Sequence, residues 1–272
     1  MYLEIYNMAV LQSFATAVRT VLKTPLLLAI GLAFGLTQSL LVVTQQYPTL
    51  NLVVSVVWNL GFLFVLPFFQ GGLITTADRA FNRQPSLSIF LNGGKRHYVR
   101  LFFAYLILIG VSVLFGLATL LLLAIGFVTL VVLPVEGGVS VVVLGVAVVA
   151  LFFSYLLFTA LIQFYAHAIV LDDTELVSAF ARSLSVVRQN ILSVTGYTLL
   201  LAVGGAGFGL LAGIISLLFA PTENPFSLSP VSFGFQIGGT IALIGMTAVF
   251  VALYATYSTV FYRELTRKES PT

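Results

Sequence analysis

Six apolar stretches, at 25–47, 50–77, 101–133, 139–171, 191–220 and 233–262, dominate this sequence, and each exceeds the roughly 20 residues a helix needs to cross a bilayer. Lipid is therefore the solvent in which the chain folds. Inside a bilayer every backbone polar group must find its partner within the protein, which leaves helices or a closed barrel. Runs this long, without strict alternation, read as helices. Composition agrees: 8% of residues are charged and 60% hydrophobic, where a soluble domain carries about 25% charged residues. The expected fold is an all-α membrane protein, a single polytopic domain over 1–272 with six transmembrane helices.

The placement of charge orients those helices. All twelve basic residues (Arg19, Lys23, Arg79, Arg83, Lys95, Arg96, Arg100, Arg182, Arg188, Arg263, Arg267 and Lys268) fall in the N-terminus, the two longer loops and the C-terminus. The three short turns, around 45–48, 134–138 and 221–230, hold none. Six spans put the four basic segments on one side, which the positive-inside rule assigns to the cytoplasm together with both termini. Among the nine acids only Glu136 and Glu223 then lie outside. The overall charge of +3 is too small to point to nucleic acid. With no cysteine, disulfides and thiolate metal sites are excluded. Glu4, Arg19 and Lys23 precede the first apolar run, so no cleaved secretory leader is expected.

The middle spans are longer than a bilayer requires, so they must tilt, break or project. Residues 128–143, rich in Val around Glu136-Gly137-Gly138, resemble a hairpin of strands locally, but an open two-stranded edge in lipid would leave backbone groups unpaired. Helices with irregular outer ends are the better expectation.

Two cytoplasmic segments have helical amphipathicity. Residues 12–24 set Phe14, Val18, Val21 and Leu22 against Thr16, Arg19, Thr20 and Lys23. Residues 173–190 set Leu176, Phe180, Leu184 and Val187 against Ser178, Arg182, Ser185 and Gln189, with Asp172 and Glu175 as a capping pair. Residues 85–98 form a weaker copy, in which Gly93-Gly94 interrupts the face made by Leu87, Phe90 and Leu91. Each segment leads into two spans, which suggests three parallel units of surface helix, span, turn and span. The segments Phe69-Gln70-Gly71-Gly72-Leu73, Phe90 to Tyr98, Ala179-Phe180-Ala181-Arg182-Ser183 and Val187-Arg188-Gln189-Asn190 resemble an archaeal-type group of integral membrane proteins of unknown function, similar to the membrane domains of glycerophosphoryl diester phosphodiesterases. The resemblance implies a membrane domain over nearly the whole chain. The phosphodiesterase barrel of those relatives has no counterpart here, so it implies no activity.

Little in the spans carries chemistry. No Lys, Arg, Asp or Glu sits in the central part of any span, and His97 (in a loop) and His167 lie in no metal-ligand pattern. No catalytic residue, metal or cofactor is assigned. Gly94-Lys95 lacks the Ser or Thr of a phosphate loop, and the glycine fingerprint at 207–212 lies within a span rather than after a strand. Gly205, Gly209 and Gly213 share one helix face, as do Gly31 with Gly35 and Gly234 with Gly238, which suits close helix packing within the bundle. The uncharged polar residues Gln70, Gln163 and His167, the last two a turn apart, mark a candidate polar vestibule near the cytoplasmic ends of spans two and four.

These features favour a membrane scaffold or accessory subunit without enzymatic activity. It would engage anionic lipid or a membrane protein partner through Arg19, Lys23, Lys95, Arg96, Arg182 and Arg188. The alternative is a transporter-like protein for a small or amphiphilic solute, which the absence of a buried charge pair disfavours.

Overall fold

A computed structural model describes residues 2–131, 139–220 and 232–267. The expected outer turns at 134–138 and 221–230, with Glu136 and Glu223, and Lys268 near the C-terminus, lie outside the described residues. The described residues form nine α-helices and no strand: α1 (Tyr2–Lys23), α2 (Pro25–Val43), α3 (Pro48–Ala80), α4 (Leu87–Val131), α5 (Val139–Ile162), α6 (Tyr165–Leu171), α7 (Leu176–Gln189), α8 (Ile191–Ser216) and α9 (Phe233–Arg267). Six helical segments are long and apolar enough to cross a membrane: α2, α3, α4, α5 with α6, α8 and α9. The fold is the expected all-α membrane type. Pro25 and Pro48 each open a helix, where the missing N–H has no helical partner to lose.

Three features correct or sharpen the sequence reading, each with a physical cause. First, α4 runs without a break for 45 residues, about 67 Å, so residues 85–98 are no separate surface helix and His97 lies on a helix rather than in a loop. Gly93 and Gly94 do not interrupt it, because they let α3 come close. A Cβ on Gly94 would lie 2.7 Å from the Phe68 carbonyl oxygen, one on Gly93 would overlap the Thr75 side chain, and one on Gly72 of α3 would lie 2.6 Å from the Phe90 carbonyl oxygen. Each helix thus supplies small residues where the other's backbone passes.

Second, the fourth span does break, between Ile162 and Tyr165. Ser183 of α7 repairs the backbone there: its hydroxyl donates to the Leu161 carbonyl (3.0 Å) and accepts from the Phe164 N–H (3.1 Å). Phe164 fills the break, fully buried among Tyr197, Phe261 and Tyr262.

Third, the most extensive helix pairings are not the expected hairpins, although α4 and α5 do pack together. Besides the α3–α4 pair, α2 and α1 both pack chiefly on α9. On α2, Gly31 and Gly35 press on α9 at Ala248 and Ile244, and a Cβ on Gly35 would lie 2.8 Å from the Ile244 carbonyl oxygen. The expected packing role holds for that pair. It fails for Gly209 and Gly213, beside which there is open space, while a Cβ on Gly205 would reach only the edge of Phe250 at 4.0 Å; Gly234 and Gly238 are likewise open.

Burial is concentrated toward the end of the bundle where α1, α6, α7 and the C-terminal half of α9 meet. The far halves of α4, α5 and α8 instead present Leu114, Leu121, Phe153, Val203 and Leu210 outward. Lipid solvates such side chains at no hydrophobic cost.

Candidate functional site

Gln70, Gln163 and His167 do not form one polar lining. Tyr165 donates to the Gln70 Oε1 (3.4 Å), Gln163 faces the Thr198 hydroxyl on α8 (3.4 Å), and His167 Nε2 meets the Ser258 hydroxyl on α9 (3.1 Å). The Ser258 hydroxyl already donates to the Ala255 carbonyl (3.1 Å), so His167 donates from Nε2. The break after Ile162 separates Gln163 from His167, which is why their shared face does not survive. These groups join helices, as amides and imidazoles inside bundles commonly do.

Charge gathers elsewhere, at the end where α3 closes, α4 opens, α6 passes into α7 and α9 ends. Arg96 and Arg100 stand one turn apart on α4 and both grip Asp173 in the α6–α7 connection, at 2.9 and 2.7 Å. Asp173 adopts a left-handed backbone conformation, φ 52°, which Asp tolerates better than most residues. The two guanidiniums, Arg100 first, hold its carboxyl below the ordinary carboxylate range. Arg263 of α9 donates to Asp78 of α3 (2.8 Å), and Asp172 accepts from the Tyr262 hydroxyl (2.5 Å) and faces Arg182 (3.7 Å). Asp172 is therefore committed to α9 and α7. The expected cap of α7 does not form, since no side chain caps its first turn.

Between these groups lies a cavity of about 430 Å³. Helix α3 contributes Thr75, Asp78 and Arg79, and α4 contributes Asn92, Arg96 and His97; Asp173 and Arg263 close the other side. The volume falls in the range of about 300–1,000 Å³ typical of small-molecule sites. His97 is 4% exposed and its Nδ1 lies 3.1 Å from the Gly93 carbonyl. A carbonyl only accepts, so Nδ1 carries the proton, and in the neutral ring Nε2 is left with a lone pair. That atom is buried without a hydrogen-bond partner, 4.0 Å from an Asp173 oxygen. The Arg79 side chain makes no hydrogen bond or ion pair with any described residue.

Of the cations expected to form a surface, Arg96 belongs to this cavity, while Arg19, Lys23, Lys95 and Arg188 are exposed on α1, α4 and α7. The buried stripe of α1 differs from the expected one. Ser13, Ala17, Thr20 and Val21 face the bundle, whereas Leu22 is 75% exposed. Ser13 donates to Glu264, and Phe14 meets Tyr257 edge-on with ring centres 5.6 Å apart. Small and hydroxylic residues fit a close crossing with α9 better than Leu does. Sequence reasoning missed Asp78, Arg79, His97, Arg100, Asp173 and Arg263 as members of one site. The available signal was the (i, i+4) spacing of Arg96 and Arg100 beside a histidine.

A family model described as a domain of unknown function, DUF7847, matches residues 8–265. Neither the curated proteins nor the solved structures contain a match.

Proposed function

We propose that this chain, which belongs to the DUF7847 family, is a non-catalytic membrane scaffold or accessory subunit whose basic end faces the cytoplasm and engages anionic lipid. The observation that carries this reading is the pairing of exposed cations with exposed apolar side chains at that end. On α1, Arg19 and Lys23 flank Leu22, and on α7, Arg188 shares the helix with Val177, which is 80% exposed. Such an arrangement suits the headgroup boundary, where apolar groups enter the acyl region and each Lys or Arg contributes about 1 kcal/mol of attraction to an anionic surface. The segments similar to the phosphodiesterase membrane domains fit it too. Gly71 and Gly72 belong to the α3–α4 crossing, and Ser183 to the α5–α6 break, so they support architecture rather than hydrolysis. The separate engagement of Gln70, Gln163 and His167 favours a scaffold over a transporter.

The test is the lipid retained by the protein purified from membranes of mixed composition. Anionic phospholipid should be enriched over neutral lipid relative to the source membrane. Combined replacement of Arg19, Lys23, Lys95 and Arg188 by Ala should abolish the enrichment, and salt should weaken it. Equal retention of neutral and anionic lipid by the unmodified protein refutes the reading.

A further inference from the structure

We infer that the cavity between α3, α4, the α6–α7 connection and α9 binds a phosphate group that carries, or lies beside, a hydroxyl. The inference deepens the lipid-engaging reading, since both place an anionic ligand at the same end of the bundle.

The charge balance calls for an anion. Arg79, Arg96 and Arg263 line the cavity, against the carboxylates of Asp78 and Asp173, and Arg100, outside the lining, also holds Asp173. Three guanidiniums of the lining thus meet two carboxylates, one of which a fourth guanidinium also engages. Asp78 is taken by Arg263, and Asp173 is divided between Arg96 and Arg100, while Arg79 pairs with no described residue. Guanidinium forks match the oxygens of a phosphate in geometry as well as charge.

His97 narrows the ligand further. In the neutral ring its Nε2 is an acceptor, buried without a hydrogen-bond partner in a residue that lines the cavity, and the nearest Asp173 oxygen, 4.0 Å away, already accepts from Arg100 and supplies no hydrogen. The occupant must therefore bring a donor as well as negative charge. A carboxylate or a sulfate at neutral pH brings only acceptors. Monohydrogen phosphate carries a P–OH, and the headgroup of a glycerol-bearing phospholipid carries hydroxyls next to its phosphate. Either sends oxygens to Arg79 and Arg96 and an O–H to His97.

The decisive experiment titrates the full chain, in nanodiscs of neutral phosphatidylcholine, with inorganic phosphate and separately with sulfate at pH 7.5 and constant ionic strength. Binding is followed through the ring-nitrogen NMR signals of His97. Phosphate should saturate, with sulfate at least about tenfold weaker, because a site built to receive an O–H rejects the analogue that lacks one. Arg79→Ala, at an exposed position whose side chain holds no described partner, should weaken phosphate at least about tenfold. A second series in nanodiscs containing phosphatidylglycerol identifies the source. If that lipid blocks phosphate, the headgroup is the ligand; if phosphate binds as before, a soluble phosphate is. No saturable phosphate binding, sulfate binding as tightly as phosphate, or an unchanged Arg79→Ala overturns the inference. Failure here leaves lipid enrichment intact, whereas loss of enrichment with phosphate binding retained refutes only the scaffold reading.

Discussion

Replacing Gly72 by Ala should destabilise the protein, and replacing Gly209 by Ala should not. Both residues lie inside helices, so intrinsic propensity favours Ala at each by about 1 kcal/mol. Their surroundings are opposite. At Gly72 the new Cβ would lie 2.6 Å from the Phe90 carbonyl oxygen and 2.7 Å from the Phe90 ring, well inside ordinary van der Waals contact. The obstructing oxygen is backbone and cannot rotate away, so α3 and α4 must separate along a crossing that also uses Gly93 and Gly94. Overpacking of this kind costs about 1–3 kcal/mol, which exceeds the propensity gain over most of that range. At Gly209 nothing lies within 4 Å, and the propensity gain stands alone. The single tryptophan, Trp58 on α3, reports the loss of α3 packing by fluorescence as SDS is titrated into mixed micelles. Gly72→Ala should unfold at a lower SDS fraction than the unmodified protein, and Gly209→Ala at an equal or higher one. An unchanged Gly72→Ala, or a Gly209→Ala that loses as much, would refute the assignment of close contact to one glycine and open space to the other.

The topology is tested by single cysteines, which no native cysteine confuses: an impermeant reagent should label positions near 47, 136 and 226 in intact cells and spare 88, 178 and 268. Ser183→Ala should leave the buried Phe164 N–H unpaired at the α5–α6 break and cost about 1–3 kcal/mol in the same SDS titration; a smaller effect would mean the break does not depend on that hydroxyl. Because Arg100 and Arg96 hold the Asp173 carboxyl below its ordinary range, the stability this pairing supplies is present above the unfolded carboxylate pKa, about 3.9, and is lost as pH falls through the lower folded value. Thermal unfolding between pH 6 and pH 2 should therefore show a smaller acid-induced loss for Asp173→Asn than for the unmodified protein, and identical losses would show that the pair does not tether α4 to the α6–α7 connection.

The spans were legible because each is a local property: twenty or more apolar residues in sequence announce a helix in lipid whatever surrounds them. Glycine meaning was not legible in the same way. A four-residue spacing says that Gly31 and Gly35, or Gly209 and Gly213, share a face, but only tertiary structure decides whether a neighbour occupies it. The same ambiguity made Gly93-Gly94 read as an interruption when the pair is what lets α4 continue past α3.

The charged cavity was hidden for a different reason. Arg96 and Asp173 are 77 positions apart, and Asp78 and Arg263 are 185 apart, so the charges that orient the spans in the sequence also build a site that no local pattern displays. The physics connects the two roles. Charges excluded from the apolar interior must collect at helix ends, and where four such ends converge they are forced into mutual contact. Pairing then follows from proximity, and an excess of arginine over aspartate leaves a cationic residue there. The gathering of basic residues at one end thus has a structural consequence of its own: it biases that end of a converging bundle toward anions. What distinguishes this bundle from that general tendency is His97, whose unpartnered lone pair asks for a hydrogen as well as a charge.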